Sequence, residues 1–162
     1  EPDKADFRKT EGFRLPTEVE WEWFARGGEV AIQDGTFDKK YSGSDNPDKV
    51  AWYEDNSEKQ THSVGTKNPN QLGLYDCSGN VWEWCYDIKN SYFWEKAPKE
   101  TLYYYGNILD RGNRITRGGS WKDHTKKGYG GSFDINTREI YICNGESTYG
   151  YYNIGFRIVR TV

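Results

Sequence analysis

Three groups of residues in this chain are of types that do chemistry. The first is Asp76, Gly79, Val81 and Glu83, in Asp76-Cys77-Ser78-Gly79-Asn80-Val81-Trp82-Glu83. Two carboxylates on either side of a Ser-Gly-Asn turn, with the carbonyls of Gly79 and Val81 between them, form an oxygen-only ligand set of the calcium type. The same spacing suits Asp76 capping a turn and Glu83 in a surface ion pair, and spacing leaves both readings open. The second group is Cys77, Cys85 and Cys143 with His62 and His124. The cysteine count is odd and the spacings match no zinc pattern. A Cys77–Cys85 bridge and three buried thiols both satisfy the count.

The third group lies between Trp121 and Ile154. Residues 122–153 are rich in Tyr, Gly, Asn and charge, with no sustained period of either kind. Tyrosine offers a large contact area and a hydroxyl at low entropic cost, and small polar residues adapt around it. A framed irregular segment of this composition reads as a recognition surface; a long surface loop without a partner is the plainer reading. The candidate binding residues are Trp121 as a platform, then Lys122, Asp123, His124, Tyr129 and Phe133. Asp134, Asn136, Tyr149, Tyr151, Tyr152 and Asn153 complete the set, with about a third expected to be buried.

These residues need elements to hold them. A helix is expected at about 17–26. Thr17 and Glu20 have the spacing of a capping box, acids occupy the first turn, Val19 and Trp23 share a face, and Gly27-Gly28 follows as a stop. The stretch 29–48 reads as turn-rich. His62 to Gly65 reads as a short strand or extended link, and Asn68-Pro69-Asn70 as a turn. Strands are expected at Val81–Tyr86 and Asn113–Arg117. Residues 87–113 form a polar and aromatic excursion that suits a short helix or a hairpin. Arg117-Gly118-Gly119-Ser120-Trp121 and Ile154 to Arg160 frame the third group. The latter alternates Ile154, Phe156 and Ile158 against Arg157, the period of a half-buried strand.

The chain of 162 residues is long enough for one domain with its own core. Aromatic residues make up 17 %, with 7 Trp and 13 Tyr, so rings must supply much of that core, each with a polar atom needing a partner. A net charge of −3 with both signs interspersed is no footprint for nucleic acid or an anionic membrane. No apolar run is long enough to span a bilayer.

Four blocks carry a resemblance. They are Gly12-Phe13-Arg14-Leu15-Pro16-Thr17-Glu18-Val19-Glu20-Trp21-Glu22-Trp23, then Gly73-Leu74-Tyr75-Asp76-Cys77-Ser78-Gly79-Asn80-Val81-Trp82-Glu83-Trp84. Arg117-Gly118-Gly119-Ser120-Trp121 and Gly155-Phe156-Arg157-Ile158-Val159-Arg160 follow in the same order. Together they resemble the formylglycine-generating-enzyme (sulfatase-modifying-factor) family over residues 12–160. The resemblance implies an α+β, C-type-lectin-like fold with little regular secondary structure. It implies a single domain over 1–162, with 122–153 as a variable ligand-binding segment. It also implies a missing N-terminal part, whose strand would lie near the closing strand 154–160. Without that part, the closing strand should have an exposed edge or an unusual partner.

Catalytic members of the family resemble one another in two cysteines after the Gly-Gly-Ser-Trp block, which bind copper and activate oxygen. The matching positions here are Asp123 and Gly128, neither of which is a thiol, so no enzyme activity and no copper are expected. A sister branch uses a three-histidine iron site, and this chain has only His62 and His124. The frame with a changed insert is similar to the variable proteins of diversity-generating retroelements, whose segment before Ile-Gly-Phe-Arg is diversified. The resemblance therefore implies a non-enzymatic, receptor- or adhesion-type binding protein with an unknown protein or surface ligand. It is expected to be a monomer, at the cell surface or outside the cell, with a lipid anchor supplied by the missing part. Family comparison also implies structural calcium at Asp76, Gly79, Val81 and Glu83. The alternatives are an oxidase acting on protein cysteine, centred on Cys143, and a carbohydrate-binding lectin, although the sugar-binding Glu-Pro-Asn and Gln-Pro-Asp triplets are absent.

Overall fold

The computed structural model describes residues 12–89, 113–125, 134–135, 137–142 and 151–160. Strand β1 (Phe13–Arg14) leads into α1 (Glu18–Ala25). The capping box forms as expected: Thr17 accepts from the Glu20 amide, and the Glu20 carboxylate accepts from the Thr17 amide at 2.8 Å. Arg14 grips the same carboxylate through two 2.7 Å bonds. A second carboxylate joins this helix start, since Asp87 accepts from the Glu18 amide at 2.6 Å. The helix buries Glu18, Trp21, Phe24 and Ala25. Val19 and Trp23 do share a face, and it is the exposed one.

Gly27, in the left-handed region with φ +91°, turns the chain without ending helical structure. Helix α2 (Gly28–Asp34) begins at once, where a turn-rich stretch was expected. The reason is close packing: a Cβ on Gly27 would meet that of Ala31 at 2.8 Å, so the glycine pair joins two helices. A short α3 (Pro47–Val50) is capped by Asn46, whose side chain accepts from Asp48. Residues 62–65 form no strand, and 64–65 form a turn. The turn expected at 68–70 falls later, with the Gly73 amide donating to the Asn70 carbonyl at 2.9 Å.

The main sheet holds β2 (Trp82–Lys89), β3 (Asn113–Arg117), β4 (Arg138–Ile142) and β5 (Ile154–Phe156), in the order β4-β3-β2-β5. β3 is antiparallel to both β2 and β4, whereas β5 runs parallel to β2, placing Gly155 beside Glu83. The expected closing strand at 154–160 is two strands. β5 ends at Phe156, and β6 (Val159–Arg160) pairs with β1 in a separate two-stranded sheet. The break falls at Arg157, which leaves the strand path to meet Glu83. The anticipated face is also reversed: Phe156 and Ile158 are exposed, and Arg157 turns inward.

The core gathers Trp21, Phe24, Ala25, Cys77, Cys85, Ile115 and Ile135, with a second cluster of Tyr41, Val50, Ala51 and Tyr53. The ring polar atoms find partners, as Trp21 Nε1 donates to Glu83 at 2.7 Å and Tyr53 to Asp48 at 2.8 Å. Cys77 and Cys85 are free and buried, so no bridge joins them. Burial pushes the Cys77 thiol up to about 12 and that of Cys85 well above its usual value, leaving both as inert thiols. Cys143 and most of the 87–113 excursion lie outside the described residues.

Candidate functional site

The segment that follows β3 is built on a turn. Gly118 and Gly119 are both left-handed, at φ +98° and +78°. A Cβ on Gly118 would lie 3.2 Å from the Trp21 ring, so this glycine lets the backbone approach the core. Ser120 then donates through its amide (2.8 Å) and its hydroxyl (2.5 Å) to one Asp123 oxygen, and the Asp123 amide returns a bond to the Ser120 carbonyl. Burial pushes the Asp123 carboxyl up, against the Ser120 hydrogen bonds that favour its charge.

The closed turn presents its middle outward. The Trp121 amide is fixed to the Asn80 carbonyl at 2.9 Å, and the Trp121 carbonyl accepts from Ser57 at 2.7 Å. The half-exposed Trp121 ring lies 6.1 Å from the ring of Tyr152. Lys122 places its ammonium 4.9 Å from the Tyr152 ring centroid and 3.4 Å from its hydroxyl. Tyr152 is 72 % exposed, and Tyr151 beside it is also exposed. His124 meets Glu54 at 2.5 Å, and the Glu54 amide holds the Asp123 carbonyl.

The structure thus brings together Trp121, Lys122 and Tyr152, with His124 and Tyr151 on the same two segments. Two expected binding residues are turned inward. Asp123 is 5 % exposed with its carboxylate closing the turn, and Asn153 is 2 % exposed with its carbonyl accepting from the Trp82 amide. The Asn153 side-chain nitrogen is buried without a hydrogen-bond partner. Asp134 closes a different turn, accepting from the Thr137 hydroxyl at 3.1 Å ahead of β4. Tyr129, Phe133, Asn136, Tyr149 and Gly128 lie outside the described residues. Glu54 was missed by sequence reasoning, and nothing in its polar neighbourhood singled it out.

The carboxylate pair sits beneath the frame, beside a cavity of about 380 Å³ lined by Val64, Tyr75, Asp76, Val81, Phe156 and Arg157 among others. Asp76 is left-handed at φ +58°, and one of its oxygens accepts from the Gly65 amide at 2.7 Å. Its Oδ1 is buried with no partner, which fits a cation ligand. Glu83 fits less well. Arg157 contacts both of its oxygens, at 2.8 and 3.0 Å, and Trp21 Nε1 adds a third bond. The ion-pair reading of Glu83 therefore holds, with a buried pair instead of a surface one. Gly79 is required for packing, because a Cβ there would lie 2.3 Å from the Trp52 carbonyl oxygen. Among the described residues, no group of three or more His, Cys, Asp and Glu side chains is placed to hold a metal. Arg157 was overlooked as a site residue; the signal was a charge set inside an apolar alternation.

The family described as sulfatase-modifying factor enzyme 1-like domain matches residues 3–162. The chaperone protein LppX of Paenibacillus barcinonensis is 37 % identical over 145 residues, covering 77 % of this chain and 45 % of its own length. A formylglycine-generating enzyme of Streptomyces coelicolor is 28 % identical over 163 residues, covering 96 % of this chain and 49 % of its own. The inactive C-alpha-formylglycine-generating enzyme 2 of Bos taurus is 34 % identical over 122 residues, covering 69 % and 33 %. Among solved structures, CarF superimposes with a TM-score of 0.70 at 32 % identity, covering 95 % of this chain and 49 % of that one. Variable protein 1 of Treponema denticola gives 0.67 at 35 % identity, covering 93 % and 48 %. The chain spans about half the length of the relatives LppX, CarF and variable protein 1. The relatives include active enzymes, an inactive one and a variable protein. No helix of the described residues is long and apolar enough to cross a membrane.

Proposed function

The chain belongs to the sulfatase-modifying factor enzyme 1-like family, and we propose that within it the chain is a non-enzymatic binding protein. Its ligand-binding face is centred on Trp121, Lys122 and Tyr152, flanked by His124 and Tyr151, and the ligand is a protein or surface molecule met outside the cell. The observation that carries this reading is the state of Asp123. It stands where the resemblance places a catalytic cysteine, and its carboxylate is turned inward to close the Ser120 turn. A position used in this way supports a scaffold role, while the exposed Tyr152 and the partly buried Trp121 beside it supply contact area of the kind recognition surfaces use. The likeness to variable protein 1 of Treponema denticola supports the same reading.

Oxygen uptake with a cysteine-containing peptide, in the presence of copper, tests it. The binding-protein reading predicts no uptake above the protein-free rate. Copper-dependent peptide oxidation contradicts it and returns the protein to the oxidases.

The same reading assigns a structural calcium ion to Asp76, with the carbonyls of Gly79 and Val81 and an oxygen that Glu83 shares with Arg157. The partnerless Asp76 Oδ1 supports the ion. Calcium would neutralise that buried oxygen and fix the turn below Trp121. Thermal unfolding in calcium and in chelator checks the assignment, with a higher midpoint expected in calcium and the same midpoint in both for Asp76→Ala.

A further inference from the structure

Trp121 is gripped through its backbone from both sides, and the two grips meet. Its amide donates to the Asn80 carbonyl at 2.9 Å, and its carbonyl accepts from the Ser57 hydroxyl at 2.7 Å. The Ser57 carbonyl in turn lies 2.8 Å from His62 Nε2. A carbonyl oxygen only accepts, so the imidazole holds its proton on Nε2 and donates. The circuit closes at Asn80, whose side chain binds both backbone groups of His62. Its Oδ1 accepts from the His62 amide at 3.0 Å, and its Nδ2 donates to the His62 carbonyl at 3.1 Å. Three separate segments of the chain thus form one hydrogen-bonded ring, in which Trp121 is the member at the ligand-binding face.

We propose that His62 and Asn80 are positioning residues of the ligand-binding face, setting through Ser57 where the Trp121 ring stands against Tyr152. The assignment rests on reading that face as a binding surface. The chemistry of each side chain matches its place. A side-chain amide carries the donor and the acceptor that one residue's backbone needs, and asparagine tolerates the left-handed backbone found here at φ +63°. The His62 ring is itself aimed: it stacks on Trp52 with 3.7 Å between centroids and 12° between planes, and the Trp52 carbonyl accepts from the Asn80 amide at 2.7 Å. Asn80 and Ser57 are buried, so a broken bond in the ring is not simply replaced by one to water. None of Ser57, His62 and Asn80 belongs to either apolar core cluster, so their bonds act on the face more than on the core. The ring holds Trp121 by its backbone alone. Side chains at 122, 151 and 152 can therefore differ without loosening it.

Amide exchange and fluorine NMR of the complete polypeptide, labelled with 5-fluorotryptophan, test it, with Trp121→Phe identifying the Trp121 signal. In the parent, Tyr152→Leu should move that signal, because the Tyr152 ring lies beside it. In His62→Ala this dependence on Tyr152 should shrink, and likewise in Asn80→Gly, a second variant that suits the left-handed backbone. The Trp121 amide should exchange roughly five- to tenfold faster in both, as the loss of one hydrogen bond allows, while the Ile115 amide in β3 keeps its rate. His62→Gln, whose amide nitrogen replaces Nε2 as a donor, should restore both readouts. Equal acceleration at Ile115 would mean a general loss of stability and would overturn the assignment. An unchanged Trp121 signal and exchange rate in both variants would overturn it as well. Copper-dependent peptide oxidation would remove the binding reading but leave these readouts as predicted, so the two failures are told apart.

Discussion

Two regions that touch each other are built on opposite rules. Beneath lies the network of Trp21, Glu83, Arg157, Arg117 and Glu18. Here every charge is at least partly buried and bound by partners from distant parts of the chain: Arg117 reaches Glu18 at 2.9 Å and Glu22 at 3.0 Å, and Arg157 reaches Glu83 at 2.8 Å. Above lies the turn 120–124 with Tyr151 and Tyr152. Its polar backbone is fixed from below, while Lys122 and Tyr152 are exposed and the Tyr152 ring meets Trp121 and Lys122. A change of side chain in the lower network takes a partner away from a buried charge. In the upper region, side chains can change while the Ser120–Asp123 turn holds the backbone. This is the physical condition for a surface that tolerates substitution without unfolding its carrier.

The sharpest break of the comparison is Arg117→Ala. It removes the Arg117 guanidinium from Glu18 and Glu22 and frees the Ile135 carbonyl, and removing one partner of a buried pair costs about 3–5 kcal/mol. Denaturant unfolding should report a loss of that order. Asp123→Ala probes the border between the regions. It leaves the Ser120 amide and hydroxyl without their acceptor, a loss of about 1–3 kcal/mol by the same measurement. If that variant were neutral, Asp123 would belong with the replaceable surface.

The third prediction concerns pH. Burial pushes Asp87 from 3.8 up to about 6, with the nearby Glu18 charge adding to the shift and the Glu18 amide opposing it. Between those values the native state holds a proton that the unfolded chain has released. Its contribution is full below about 3.8 and is lost as pH rises to about 6. Glu20 acts in the opposite sense: burial raises it, but the Arg14 hydrogen bonds and charge together with the Thr17 hydrogen bonds outweigh burial and hold it below its usual value. Its contribution is lost as pH falls through the low carboxylate range. Unfolding free energy followed from pH 4 to 6 should therefore fall less steeply in Asp87→Asn than in the parent. The smallest effect is expected at the top. Lys122→Ala and Tyr152→Ala should each change stability by less than about 0.5 kcal/mol, as exposed substitutions do.

The legible parts of the fold were those with local signals. The capping box of Thr17 and Glu20 located α1, and the Asn113–Arg117 strand was read at its observed bounds. The family fold was legible from the four sequence blocks. What was not legible depends on contacts between distant residues. Gly27-Gly28 reads as a helix stop, and the close approach of Gln71, far along the chain, to Gly27 is part of what makes it a joint between helices. The alternation at 154–158 reads as a strand with its apolar side inward, and the Glu83 carboxylate, far away in sequence, reverses it. Asp123 reads as one more polar residue of a recognition loop until Ser120 is seen to bind it. Trp121, Lys122, Tyr151 and Tyr152 read as candidate binding residues in a set of which about a third is expected to be buried, and which of them face outward was not legible, because that depends on how the Ser120–Asp123 turn sits on the core.

The most direct test of the central claim is the gene sequence from many isolates of the source organism. The account predicts substitutions concentrated within 122–153, at exposed positions such as Lys122, Tyr151 and Tyr152. Ser120, Asp123, Asn153, Glu83 and Arg157 should stay fixed. Substitutions spread evenly along the chain, or falling as often at Asp123 and Asn153 as at Tyr152, would contradict it.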